Sequence, residues 1–266
     1  EFRRVLFRSF QLTVNMTVPK GFTTVIGQSG AGKSTLLSLL SGHRELTSGK
    51  IFVDGTLGSR TAWMKEDFSD EPGNRGVCRR SGESLFHTAR EAAVRGWGLA
   101  LHAIGDAAVH EAIHAIRMAQ SVRPSHIKIS DRIEHLQLLD PEDLPLLIQS
   151  GAYASLQPCH LFEDRQVVRS RWGERADYAI PFQQLMTGGV PVVTGTDAPI
   201  ESLDPWADIY AAVHRKNRDG SGSVEGPRQT VRFEEAFLSK TSWAAAANQL
   251  PTGYGTLEPG SRADFQ

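Results

Sequence analysis

The sequence predicts an α/β protein: an incomplete (β/α)8 TIM-type barrel over residues 50–266, preceded by a short P-loop strand–loop–helix fragment over residues 1–49. Three observations carry this prediction. From Lys50 onward, short apolar runs alternate with helical stretches, the pattern of parallel βαβ units. Histidine or aspartate stands at the ends of three of those runs, His102, His135 and Asp197. Before Lys50, a glycine-rich loop lies between a β-branched run and a run with helical character.

Composition bounds the function. The 266 residues can bury a sizeable core, and 40% hydrophobic with 22% charged residues is ordinary for a globular chain. Lys+Arg 29 against Asp+Glu 30 leaves a net charge of -1, so no long-range field draws the chain to nucleic acid or anionic lipid, and any phosphate site must be local. Cys78 and Cys159 are too few for a disulfide framework. No apolar run approaches the roughly 20 residues that span a bilayer. The basic start, Arg3, Arg4 and Arg8, precedes too short an apolar stretch for a signal peptide, so a cytoplasmic location is expected. Because the chain opens on Glu1 and stops at Phe265-Gln266 in mid-element, a fragment at both ends is expected.

Taken in order, Phe10 to Val18 alternates loosely and Phe22 to Ile26 reads as a buried strand ending at Gly27. Gly27-Gln28-Ser29-Gly30-Ala31-Gly32-Lys33-Ser34 fits G-x-x-x-x-G-K-[ST], and Ser34 to Leu40 reads as a helix closed by Gly42. Gly27, Gly30 and Gly32 let backbone N–H groups converge on phosphate oxygens at a helix N-terminus. Lys33 would reach the β- and γ-phosphates, Ser34 would hold Mg²⁺, and Thr35 belongs to the same segment. ATP with magnesium is the cofactor these residues imply.

The stretch Phe10 to Gly55 resembles the start of an ABC transporter ATP-binding subunit, with Ile26 to Leu37 as its Walker A segment and Thr47 to Gly55 as the strand after it. The resemblance covers under a fifth of the chain. It implies an LSGGQ-like signature, a Walker B strand ending in Asp-Glu and a switch histidine, none of which follows Gly55. A phosphate cradle without them leaves metal and attacking water unpositioned.

Further along, Ile51 to Asp54 is a candidate strand, Glu83 to Arg95 a helix, Trp97 to His102 a strand, and Asp106 to Met118 a helix. Ile127 to His135 contains the next strand. Pro141 to Gln149 starts a helix with Pro in its first turn, Tyr153 to Gln157 is a strand, Phe182 to Met186 a short helix, and Val190 to Asp197 another strand. The Gly- and Ser-rich stretch Arg215 to Arg228 reads as a surface loop.

In a (β/α) barrel the strand ends converge on one mouth, so His102, His135 and Asp197 meet in space. Two neutral imidazoles and a carboxylate suit zinc or a similar divalent ion, whose bound water ionises near neutral pH, with Asp197 holding that water and taking its proton. His110 and His114, one turn apart with H-x₃-H spacing, read as a solvated or packing face. His43, His87, His126 and His214 form no pattern. His160, just after Gln157-Pro158, stands at another strand end where it could touch substrate.

The span Lys50 to Phe265 resembles the amidohydrolase superfamily, in particular its N-substituted formamide deformylase-like branch. The matching segments are Lys50 to Ala62, His102-Ala103-Ile104-Gly105-Asp106, Arg132-Ile133-Glu134-His135, Ser155 to Pro158, Gly195 to Glu201, and Leu257 to Asp264. The resemblance implies a TIM barrel, one or two divalent ions, and hydrolysis of an amide or formamide C–N bond in a small molecule. It also implies His102 and His135 as metal ligands, Asp197 as ligand and general base, and Lys50 as a strand-end lysine open to carbamylation between two metals. The family's first strand ends in His-x-His, and no H-x-H occurs here. The resemblance therefore implies an impaired hydrolase. The alternative is an ATP-binding fragment of an ABC transporter subunit. Lys50 to Gly55 suits both families, so a chimera joined within those six residues is expected.

Overall fold

The computed structural model describes residues 5–7, 10–12 and 48–261. The chain divides into two units, Glu1–Leu46 and Thr47–Gln266. In the first, β1 (Val5–Phe7) pairs antiparallel with β2 (Phe10–Leu12). The predicted phosphate loop, with Gly27, Gly30, Gly32, Lys33, Ser34 and Thr35, lies outside the described residues, as do the strand and helix expected on either side of it.

The second unit holds five parallel strands: β3 (Ser48–Phe52), β4 (Gly98–Ala103), β5 (Arg132–His135), β6 (Tyr153–Leu156) and β7 (Val192–Thr194). Their spatial order, β3-β4-β5-β6-β7, is their order in the chain. A doubly wound sheet reverses direction at a switch point, whereas this one never does, which is the winding of a barrel wall. The fold is α/β, an incomplete barrel.

Between β3 and β4 lies α1 (Gly82–Val94), and between β4 and β5 lies α2 (Asp106–Val122). The buried face of α1, Leu85, Ala89 and Ala93, repeats at helical spacing, and α2 buries Ala108, Val109, Ala112, Ile113, Ile116 and Ala119. Alanines on both let the helices approach closely, and they pack on each other. All six residues of β4 are buried, as a strand flanked on both edges and covered on both faces must be. After β5, Asp140 caps a 3-10 turn over Pro141–Asp143 by accepting from the Glu142 N–H, and α3 (Leu144–Ser150) ends at Gly151 with a left-handed φ of 61°. The predicted helix from Pro141 is thus a 3-10 turn followed by an α-helix.

Four helices have no counterpart in the sequence reading: α4 (Leu161–Trp172), α6 (Pro205–His214), α7 (Phe233–Lys240) and α8 (Ser242–Ala247). In α4 only Leu161, Val168 and Trp172 are buried, an apolar stripe too thin to show among its arginines and acids. The short helix α5 (Phe182–Thr187) falls where it is expected. Arg215 to Arg228 is less of a surface loop than its composition suggests, because Arg215 and Glu225 are buried. The Arg215 guanidinium donates to the carbonyls of Glu225 at 2.5 Å, Ala179 at 2.6 Å and Ile180 at 3.3 Å. Among the described residues no helix is long and apolar enough to cross a membrane.

Candidate functional site

The carboxyl ends of β3 to β5 bring the predicted residues together. Phe52 on β3 sits opposite His102 on β4, and their rings lie 4.8 Å apart. His102 in turn meets His135, the last residue of β5, edge to face at 4.5 Å between centroids. His160, in a 3-10 turn after β6, stacks on His135 with centroids 6.1 Å apart. Lys50 Nζ lies 5.4 Å from the Phe52 ring centre, two residues before the end of β3 rather than at it, and its charge acts on both His102 and His135. Asp197 Oδ2 lies 4.0 Å from His135 Nε2. The strand expected to end at Asp197 ends at Thr194, so this carboxylate stands in the following loop, 36% exposed, at a left-handed φ of 51°.

A residue that sequence reasoning passed over organises this mouth. Asp54 is fully buried and accepts from the backbone N–H groups of Trp63 at 3.0 Å, Gly105 at 2.9 Å and Ile104 at 3.1 Å. It ties the loop after β3 to the loop after β4, directly below His102, whose Nε2 is 3.6 Å from Asp54 Oδ1. Burial pushes the Asp54 carboxyl up to about 7 despite those three donors. Gly105 fits there because a Cβ would stand 2.0 Å from the Trp63 carbonyl oxygen. The signal in the sequence was the Asp54-Gly55 pair after an apolar strand, which gave no hint of what the carboxylate holds.

Electrostatics keep the histidines neutral. Burial takes His102 down to about 4 and His135 well below the ordinary imidazole value, with Lys50 adding to both shifts. His102 Nε2 lies 3.0 Å from the Gly55 carbonyl, and only an N–H can pair with a carbonyl. Nε2 therefore carries the proton and Nδ1 keeps its lone pair. That Nδ1 is buried without a partner, and so are His135 Nδ1, His160 Nε2 and Gln157 Oε1. These four atoms lie around His135 at the carboxyl ends of the strands, where buried polar atoms would ordinarily have partners. Among the described residues no three His, Cys, Asp or Glu side chains form a ready cage for a metal ion. The structure thus gathers Lys50, His102, His135 and Asp197 without closing them around one point.

Comparison with known proteins agrees with this architecture. The amidohydrolase family model matches residues 22–266. The chain belongs to the amidohydrolase family. The protein YtcJ of Bacillus subtilis is 33% identical over 232 residues, 86% of this chain and 43% of its own length. An uncharacterized metal-dependent hydrolase of Pyrococcus furiosus, 31% identical, superposes with a TM-score of 0.71 over 86% of this chain and 47% of its own. This member thus spans less than half the length of those relatives. A shorter similarity, 56% identity over 43 residues, joins 16% of the chain to the nitrate import ATP-binding protein NrtD of Synechococcus elongatus. The amidohydrolase match begins at residue 22, inside the stretch Phe10 to Gly55 that resembles such ATP-binding subunits.

Proposed function

We propose that the barrel mouth is a metal-assisted hydrolase site acting on amide or formamide C–N bonds of small molecules, with His102 and His135 as the cation's ligands and Asp197 as base. The observation that carries this reading is the pair of buried, neutral imidazoles with orphaned Nδ1 atoms beside a carboxylate. Neutral imidazole nitrogen and carboxylate oxygen are the donors that zinc takes, so the residues fit such an ion. Bound there, a divalent cation supplies Lewis acidity to the scissile carbonyl and to the attacking water.

The chain's own groups do the rest. Gly55 fixes the His102 tautomer through its carbonyl, as the outer partners of metal-bound histidines do. Asp197, the exposed member, receives the proton of the attacking water and returns it to the leaving nitrogen. Lys50, within electrostatic reach of both histidines, would be the residue to carry a carbamate formed with carbon dioxide as a further cation ligand. With no His-x-His pair among these residues, the ligand set is thin, so metal retention and turnover should fall below those of a relative that carries the pair. The name of the Pyrococcus hydrolase supports the metal, and the family supports hydrolysis.

The test is metal analysis after dialysis against zinc, together with a panel of N-substituted amides and formamides. Slow, metal-stimulated hydrolysis that Asp197→Asn abolishes is the expected result. No metal-dependent hydrolysis of any member would overturn the reading.

The second reading, a nucleotide-binding fragment over residues 1–49 joined within Lys50 to Gly55 to a barrel of separate origin, rests on the similarity to NrtD and related ATP-binding proteins. Titration with an ATP analogue tests it. Binding should be weaker than micromolar and lost in Lys33→Ala, and transcript sequence running continuously from Gly49 to Leu57 tests the junction.

A further inference from the structure

Outside the barrel mouth, α2 presents a second pair of histidines one turn apart. His110 and His114 stand at i and i+4, so they share a face of the helix. Their ring centroids are 4.5 Å apart and their planes are tilted by 54°. The sequence alone suggested a solvated or packing face, but the structure shows a more specific arrangement. His110 Nδ1 lies 2.7 Å from Asp143 Oδ1. A carboxylate accepts, so Nδ1 donates, and Nε2 is left with its lone pair. Asp143 is itself buried and held by the Lys65 ammonium at 2.9 Å, while Lys65 also reaches Asp140 at 2.6 Å. A carboxylate that orients an imidazole through its far nitrogen is the usual outer partner of a metal-bound histidine.

We infer that His110 and His114 form a two-histidine chelate for a divalent transition-metal cation, with Asp143 orienting His110. A metal–nitrogen bond of about 2.1 Å places an imidazole centroid about 3.2 Å from the ion. Two such rings at a right angle have centroids about 4.5 Å apart, and at a tetrahedral angle about 5.2 Å. The observed 4.5 Å leaves both rings within reach of one ion, and imidazole nitrogen suits Cu²⁺, Ni²⁺ and Zn²⁺ alike. Water completes the coordination, since the His110 side chain is 39% exposed and open to an entering ion.

Charge favours a cation here. The groups acting on the pair are Asp140, Asp143 and Glu111 against Lys65 and Arg117, one negative charge in excess. Glu111 accepts from the Gly82 N–H at 2.8 Å, so it contributes field rather than a ligand. None of these residues belongs to the barrel-mouth constellation, so the inference stands whether or not that mouth is catalytic.

Calorimetric titration of the full chain with Ni²⁺, repeated with Cu²⁺, tests it, alongside His114→Gln, which keeps a polar side chain of similar size on a half-buried surface. One equivalent of uptake that weakens at least tenfold in His114→Gln is expected, with two-nitrogen superhyperfine splitting in the Cu²⁺ electron paramagnetic resonance spectrum that falls to one nitrogen in the variant. Asp143→Asn should weaken the same step by about 10- to 100-fold. Uptake and spectrum unchanged in His114→Gln would overturn the inference, and so would the absence of uptake by the unaltered chain. A His102→Asn control separates the sites: it changes uptake at the mouth and leaves the α2 step in place.

Discussion

His102 and His135 touch edge to face although the pleat alone would separate them. In the β4–β5 register His102 stands opposite Glu134, and His135 stands opposite Ala103. Side chains alternate along a strand, so regular geometry would send His135 to the face opposite His102. The φ of His135 is instead +77°, and that of Leu136 is +42°. The left-handed turn at the strand's last residue brings the two rings within 4.5 Å. Asp197, also at positive φ, completes the same mouth. His135, Leu136 and Asp197 thus all hold the left-handed conformation at this mouth, which costs each side-chain-bearing residue free energy.

The strain at His135 can be read directly. A left-handed conformation costs an L-residue about 1 kcal/mol and glycine almost nothing. His135→Gly should therefore be more stable than His135→Ala by about 1 kcal/mol in urea unfolding, while both lose the ring contact. Equal stability of the two variants would show that the backbone at 135 relaxes once the imidazole is gone.

Asp54 sets a pH dependence of known sign. Its folded carboxyl is pushed up to about 7 by burial, so the folded state takes a proton that the unfolded chain has lost. Its contribution is full below about 4 and is lost as pH rises toward about 7. His102, held down to about 4, works in the opposite direction and adds stability as pH rises over the same window. In Asp54→Asn the first contribution disappears, so stability should rise more steeply with pH between about 4 and about 7 than in the unaltered protein. Parallel pH profiles would contradict the raised carboxyl.

Arg123 and Asp131 make a buried ion pair at 2.6 Å, and Asp131 also accepts from the Leu99 N–H at 2.9 Å. Both side chains are almost fully buried, at 8% and 1% exposure. Truncating one partner strands the other in a low dielectric, so Arg123→Ala should cost about 3–5 kcal/mol in chemical denaturation. A loss below about 1 kcal/mol would mean that water reaches Asp131 in the variant.

The two cysteines should differ sharply in reactivity. Cys78 is exposed, whereas Cys159 is buried and its thiol is pushed up by burial and by Asp208 beside it. A disulfide reagent should therefore titrate one thiol in the folded protein and two in denaturant. Two fast equivalents from the folded chain would place Cys159 at the surface.

Much of the fold was legible before any coordinates. The run Gly98 to Ala103, the alanine-rich repeat of α2 and the Pro and Gly punctuation around α3 are local signals of period 2, period 3.6 and turn chemistry, and the alternation of strand and helix implies parallel pairing. His102 and His135 were legible as candidates because each ends a stretch read as a strand. Tertiary structure alone decided the rest. The thin apolar stripe of α4 becomes helical only against the wall it packs on, since its own sequence carries little amphipathic signal. Asp54 acquires its role from three N–H groups, two of them about fifty residues away, and a burial that no local window contains. The positive φ of His135 and Asp197, which aims both side chains into the mouth, and the pairing of His110 with Asp143 depend on contacts between separate βα units. Such contacts are set by how the wall winds, and sequence neighbours carry no record of them.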